Sequence, residues 1–211
     1  MLDTTINDQV TEFLDKFGAV LTAGDIEAAV NLFQKDCYWR DLVSFTWNIR
    51  TMEGHNQIRE MLLSQLEATK PSNWRIADGE LVTEEGGITT AWIKFETDVA
   101  RGYGLVRLKN GLIWTFLTSM TELKGHEEPT GYERPLGAKH GAGKGRMTWT
   151  EEREKEQSEL GYATQPYTVI VGGGQGGIAL GARLRQLGVP TIIVEKNDRP
   201  GDSWRNRYKS L

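Results

Sequence analysis

The chain has only one cysteine, Cys37. No disulfide can form within it, so packing rather than cross-linking has to hold its fold. Cys37 itself reads as a small core hydrophobe. No apolar run approaches the ~20 residues of a membrane-spanning helix. The opening "MLDTTINDQV" lacks the basic start and apolar stretch of a signal peptide, which makes the cytoplasm the default location. A basic excess is also missing. Lys and Arg number 25 against 29 Asp and Glu, for a net charge of −4. That gives no support for nucleic-acid binding, which needs a basic face. No internal repeat and no metal site are read from the sequence.

The composition that is present, 38% apolar and 26% charged, is that of a soluble globular chain. Its 211 residues suffice for one domain, or for one domain and part of another. Three regions separate by pattern: residues 1–124, a connector over 125–165 rich in Gly, Pro and charge, and residues 166–211.

Region 1–124 opens with helical spacing. Val10, Phe13, Leu14, Phe17, Val20 and Leu21 form one apolar stripe. "AGD" breaks this helix, and Asp25 is placed to cap a second that presents Ile26, Val30 and Phe33. "CYWRDLVSFTW" reads as a strand with its flank. After Gly54, Ile58, Met61, Leu62 and Leu66 return to helical spacing. From Trp74 the period becomes two. "WRIADGELV" and "ITTAWIKFETDV" read as strands joined by "EEGG", and Asn110-Gly111 supplies the positive φ pair of a type I′ hairpin turn. In the last strand Leu112, Trp114, Phe116 and Met120 share one face, with Thr115, Leu117 and Ser119 on the other.

The predicted order is helix, helix, strand, helix and four strands, an α+β layer architecture. Residues 5–124 in this order resemble the NTF2-like, or SnoaL-like, cone fold: a curved antiparallel sheet with helices. "GDIEAAVNLFQKDCYWRD" is similar to that family's second helix and first strand, and "MEGHNQIREML" to its third helix. The resemblance implies a pocket within the cone and a homodimer as a possible assembly. In some relatives the pocket holds an isomerase or dehydratase site using Asp, or His with Asp. Asp41 and His55 are the candidates here. The alternative is structural: Asp41 solvated or paired beside Arg40, and His55 a cap or turn residue just before the third helix.

The connector has no sustained period until "TWTEEREKEQSELG", read as a short solvated helix. Thr148 or Thr150 caps it, Glu151 and Lys155 form an i,i+4 pair, and Gly161 closes it.

The sharpest motif follows. "YTVIV" is a short β-branched run, read as a buried parallel strand. It leads directly into Gly172, Gly174 and Gly177, spaced G-x-G-x-x-G. In a dinucleotide site the first glycine makes the tight turn, the second admits the pyrophosphate, and the third lets the helix pack on the strand. Gln175 and Gly176 complete the loop, and the helix N-terminus offers free N–H groups to phosphate. Gly181 adds a second point of close packing. "TIIVEKN" is the second strand. It ends in Glu195, with Lys196 next, near the position where this motif places an acidic residue on the ribose. A carboxylate there repels a 2′-phosphate, which points to FAD or NAD.

"RPGDSWRNRY" then resembles the segment that follows the FAD-binding Glu of flavin-containing monooxygenases, commonly Gly-Gly-x-Trp-Arg. Gly201, Trp204 and Arg205 occupy the matching positions, and the resemblance implies that they border FAD. Core packing is the other reading of Trp204. Asp202 stands where the second glycine is usual. The resemblance further implies an FAD enzyme, reduced by NAD(P)H, that oxygenates a small organic substrate. It names neither the substrate nor a catalytic residue. Residues 166–211 hold one Rossmann-like β-α-β unit, part of an FAD-binding domain, so the expectation is a fragment that does not hold FAD tightly or turn over alone. A dimeric ligand-binding module and a cofactor-free isomerase or dehydratase are the alternatives.

Overall fold

Helix α1 (Ile6–Thr22) starts where the sequence supplies a reciprocal cap. Asp8 N–H donates to Thr5 Oγ1 at 3.2 Å, and Thr5 N–H donates to Asp8 Oδ2 at 3.1 Å. Its apolar stripe lies as expected, with Val10, Leu14, Phe17 and Leu21 buried. In this computed structural model, residues 5–134, 145–199 and 201–207 are described. Residues 135–144 of the predicted connector, Pro200 and the tail from 208 lie outside them, as do residues 1–4. The chain divides into two compact units, Met1–Glu127 and Glu128–Leu211.

Asp25 caps α2 (Ile26–Val30), accepting the Ala28 N–H at 2.9 Å. The helix is only five residues long. Phe33, expected on its apolar face, instead opens β1 (Phe33–Leu42) and pairs with Ile113. The Ile113 N–H donates to Leu32 O at 2.8 Å. A helix this short has little propagation energy to resist sheet pairing. Strand β2 (Ile49–Glu53), absent from the sequence reading, returns antiparallel to β1. Helix α3 (Gly54–Thr69) follows with Ile58, Met61, Leu62 and Leu66 buried.

Five strands complete this unit: β3 (Ser72–Ile76), β4 (Thr83–Glu85), β5 (Ile88–Glu96), β6 (Ala100–Lys109) and β7 (Leu112–Leu123). The single strand expected from Trp74 to Val82 breaks after Ile76, near Gly79 at φ 78°. The sheet order is β2-β1-β7-β6-β5-β3, with β4 also paired to β5. The expected antiparallel sheet is corrected to a mixed one, because β1 and β7 run parallel. Parallel neighbours need a long crossover, and here α3 with β2 through β6 supplies it. Asn110 and Gly111 have φ of 51° and 71°, the hairpin turn their spacing predicts.

The apolar face of β7 also needs correcting. Leu108 pairs with Ile113 and Arg107 with Thr115, so Trp114 is an extra residue, a bulge. One inserted residue exchanges the two faces of a strand. Ile113, Phe116 and Thr118 are buried, whereas Leu112, Trp114 and Met120 are only half-buried.

In the second unit, α4 (Trp149–Glu159) is capped by Thr148. The expected Glu151–Lys155 pair does not form. Glu151 is taken by the cap, accepting the Thr148 N–H at 2.6 Å, and Lys155 lies 3.9 Å from Glu159. No residue of α4 is buried. Strand β8 (Thr168–Val171), helix α5 (Gln175–Gln186) and strand β9 (Thr191–Val194) form a β-α-β unit with parallel strands in register, Ile170 opposite Ile193. The sequence predicts buried strands, yet of their residues only Ile170 is buried. Helix α5 shields the face carrying Ile170 and Ile193. Val169, Val171 and Val194 are exposed on the other. The one-turn helix α6 (Asp202–Arg205) is the last described element.

Candidate functional site

The glycine loop between β8 and α5 is built by backbone constraints. Gly172 has φ 104°, a conformation that L side chains rarely adopt, and its N–H donates to Val194 O at 2.7 Å. A Cβ on Gly177 would sit 1.9 Å from Gly172 O, so only glycine allows this turn of α5 against the loop. At Gly181 a Cβ would meet Ile193 Cδ1 at 2.7 Å, which holds α5 close to β9. Gly174 is different. Its conformation is ordinary, and the space a side chain would take is open, with Ser203 Oγ 3.9 Å from the Cβ position. It is also the N-cap of α5, with no side-chain cap. The first-turn N–H groups, from the exposed Gln175 and Gly176 onward, therefore look out from an open glycine cradle.

Glu195 closes one side of that cradle. Its Oε2 accepts the Gly173 N–H at 2.5 Å, and its Oε1 accepts Asn197 N–H at 2.9 Å and Asn197 Nδ2 at 2.7 Å. These donors, the Asn197 backbone first, hold the carboxyl below its ordinary range. Gly173 O in turn accepts the Gly201 N–H at 3.0 Å. Gly173 thus ties together the loop, the exit of β9 and the turn at Gly201. Spacing in the sequence does not single out Gly173, Asn197 or Ser203. Gly173 sits inside the motif, but its part is a backbone one that no spacing rule marks.

Gly201 takes the positive φ, 86°, and leads into α6. Asp202 has no positive φ, so its place in the motif needs no glycine. Its Oδ1 accepts Arg199 Nε at 2.7 Å and Arg205 Nη1 at 3.0 Å. Arg199 first, then Arg205, holds the Asp202 carboxyl below its usual range. The structure therefore gathers Gly172, Gly174, Gln175, Gly176, Gly177, Glu195 and Gly201 around one cradle. Arg205 is anchored on Asp202. Lys196 and Trp204 are exposed, and their side chains take no part in the hydrogen bonds that tie the loop. Core packing of Trp204 is not met, since the residue is 44% exposed.

The second candidate pair, Asp41 and His55, is not brought together. His55 lies in the first turn of α3 rather than before it, and its Nε2 bonds Phe33 O at 3.1 Å and Gln34 O at 3.0 Å. Those carbonyls stand at the start of β1 and Asp41 near its end, about 25 Å apart along an extended strand at ~3.3 Å per residue. Asp41 is fully buried. It is neither solvated nor paired with Arg40, whose Nη1 donates to Thr51 Oγ1. It accepts the N–H groups of Ser44, Phe45 and Thr46 and the hydroxyls of Thr46 and Thr118. Thr118 Oγ1 also accepts Trp39 Nε1 at 2.9 Å. The carboxylate folds the 43–48 loop back onto the core.

Rings fill the space a pocket would need. Phe17 meets Phe116 edge-on at 5.5 Å, Trp39 meets Phe116 at 4.9 Å, and Trp74 stacks on Phe95 at 4.7 Å. Trp74 Nε1 is buried among these residues without a hydrogen-bond partner. Cys37 is buried beside the same core, and burial pushes its thiol up to about 11. Among the described residues no cluster of His, Cys, Asp and Glu can hold a metal ion, and no helix is long and apolar enough to cross a membrane.

No known family profile matches the chain. Among curated proteins, it is 43% identical over 44 residues to the uncharacterized oxidoreductase CzcO of Bacillus subtilis, covering 21% of this chain and 13% of that protein. Over 34 residues it is 50% identical to the lycopene-forming phytoene desaturase of Pseudescherichia vulneris, covering 16% of this chain and 7% of that protein. The chain thus spans about an eighth of the length of the CzcO relative it matches. These stretches relate part of the chain to oxidoreductases. Among solved structures, an NTF2-like protein of unknown function from Cytophaga hutchinsonii aligns with 56% of this chain and 92% of its own, at 16% identity and TM-score 0.36. A ketosteroid isomerase-like protein from Erwinia carotovora aligns with 53% of this chain and 92% of its own, at 14% identity and TM-score 0.43.

Proposed function

We propose that the second unit is the nucleotide-binding start of an FAD-dependent oxidoreductase, and that the first unit is an accessory module rather than a cofactor-free enzyme. The observation that carries this reading is the cradle at Gly174. An open Cα, an uncapped helix N-terminus and a carboxylate tied to the same loop meet at one place. A pyrophosphate fits there, because the first-turn N–H groups are donors without a side-chain acceptor and the helix end favours negative charge. Glu195, fixed by Gly173 and Asn197, would take the ribose hydroxyls and disfavour a 2′-phosphate. The short likeness to oxidoreductases supports the same class. The finer reading, oxygenation of a small organic substrate with NAD(P)H as reductant, rests on the resemblance of the "GDSWR" segment to flavin-containing monooxygenases. Bound flavin would supply the redox chemistry, and this chain's residues would bind and orient its nucleotide half.

For the first unit, the packed interior and the structural use of Asp41 favour the accessory role. Titration of the full chain with FAD, followed by flavin fluorescence anisotropy, tests the cofactor assignment. The expected result is saturable binding of one FAD per chain that is lost on desalting, with NADP⁺ competing far more weakly than FAD. Absence of saturable binding up to about 1 mM, the weak end of specific affinities, would overturn it.

A further inference from the structure

We propose that residues 43–48 of the first unit form a strained latch: Phe45, at its centre, plugs the interior, and release of the loop withdraws that ring and leaves a site for one flat apolar ring. Two backbone angles mark the hinges. Val43 has φ 58° and Trp47 φ 52°, one on each side of Phe45. Among the described residues Val43 is the only β-branched one with positive φ, a true outlier for such a side chain. Strain of this kind persists only where the surroundings enforce it, and it gathers at switching segments.

Here the enforcement is narrow. Among the described residues, every hydrogen bond made by residues 43–48 ends within residues 41–49. Three backbone N–H groups and the Thr46 hydroxyl converge on the Asp41 carboxylate. The Val43 N–H donates to Asn48 O at 3.0 Å, inside the loop itself. What joins the loop to the sheet behind it is the Phe45 ring. It is fully buried, meets Trp39 edge-on at 5.0 Å and lies 6.2 Å from Phe95. Trp47, two residues on, is 59% exposed. The loop can therefore leave as a unit. Leaving breaks its bonds to one carboxylate and unburies one ring, while two strained angles relax. The hairpin beneath stays closed, because Leu42 and Ile49 remain paired in β1 and β2. The vacated space is walled by Trp39 and Phe95 and has the size of the ring that left it. An aromatic guest recovers there the edge-on contact with Trp39 that Phe45 gives up.

Native-state hydrogen exchange of the full chain at low urea tests this. The amides of Ser44, Phe45 and Thr46 are expected to exchange through a local opening with little urea dependence. Their rates should exceed by about 100-fold or more that of Ile113, whose N–H bonds Leu32 O in the same unit. Toluene is the probe for the vacated site. It binds only the open loop, so it should speed exchange at the three amides by about 3-fold at twice its Kd and leave Ile113 unchanged. Trp47→Gly relieves a strain that Trp47→Ala retains, and exchange should be about 3-fold slower in the glycine variant. Loop amides that share the rate and urea slope of Ile113 open only by global unfolding, which overturns the latch. Exchange unaffected by toluene overturns the ring site, because Phe45 then does not leave the interior. Exchange no slower in Trp47→Gly than in Trp47→Ala overturns strain as the force that opens the loop.

Discussion

Replacing Asp41 with Asn separates a core anchor from a poised base. Asp41 Oδ1 accepts the Ser44 N–H at 3.2 Å and the Thr118 hydroxyl at 2.8 Å. Its Oδ2 accepts Phe45 N–H at 3.0 Å, Thr46 N–H at 2.8 Å and the Thr46 hydroxyl at 2.8 Å. Asparagine keeps the shape but turns one oxygen into an NH₂ donor. With its oxygen at the busier Oδ2 position, the amide nitrogen confronts the Ser44 N–H and the Thr118 hydroxyl. The hydroxyl can rotate, but the N–H cannot. A buried N–H left unpaired costs about 1–3 kcal/mol. The remaining hydrogen bonds also fall from a charged to a neutral acceptor, at roughly half the strength. Relief from burying a charge offsets part of this. We expect a net loss of about 2 kcal/mol, or a urea midpoint about 1 M lower at a typical slope. Trp39 and Trp74, buried in this unit, report its unfolding by fluorescence, and circular dichroism follows the whole chain so that a second transition is not mistaken for the first. A midpoint equal to or above that of the unmodified chain would refute the anchor role. That is the behaviour expected when a strained active-site carboxylate is removed.

The glycine loop supplies a contrasting pair. Gly177→Ala puts a Cβ 1.9 Å from backbone oxygen and should abolish cooperative folding of the second unit. Gly181→Ala meets only the tip of Ile193, at 2.7 Å, and should cost about 1 kcal/mol or less after its helix-propensity gain. Amide exchange of β8 and β9 checks both, and equal effects would refute the backbone-contact argument. Glu195 gives a pH dependence of known sign. Its folded-state carboxyl lies below the ordinary value of 4.5, so its stabilisation of the loop is complete above that value and is lost as pH falls through the lower, folded-state one. Protection of the Gly173 amide should hold above pH 4.5 and drop below it, and Glu195→Gln should remove that dependence. A Gly173 amide insensitive to acid would show that the carboxylate does not hold the loop.

Much of the first unit was legible because its signals are local. The α1 stripe, the Asp25 cap and the Asn110-Gly111 turn each depend on residues within a few positions of one another. What failed depended on partners far along the chain. Phe33 fits a helical period until Ile113 arrives to pair with it. The parallel pairing of β1 with β7 has no local signature at all. The bulge at Trp114 is the most instructive miss. Alternation was correctly seen on both sides of it, but a single residue without a partner on β6 reversed the faces. Glu151 shows competition between two valid rules: it satisfies both a capping box and an i,i+4 pair, and the cap took it.

The candidate site divides along the same line. Glycine spacing and the acidic residue after β9 were readable, because the turn and the close approach of helix to strand exclude other residue types there. The hub role of Gly173 was not readable, since an N–H and a carbonyl are present at nearly every position and only geometry selects the pair that matters. Asp41 fails for the opposite reason. A carboxylate among aromatic residues carries the same sequence signal whether it awaits a substrate or accepts five hydrogen bonds from its own fold. The difference lies in the donors, and four of the five come from the loop just after it, whose backbone N–H groups turn inward only once the chain has folded over the carboxylate. A buried acid therefore becomes a catalytic candidate only after its donors have been counted, and at Asp41 that count leaves the carboxylate fully engaged in holding the fold.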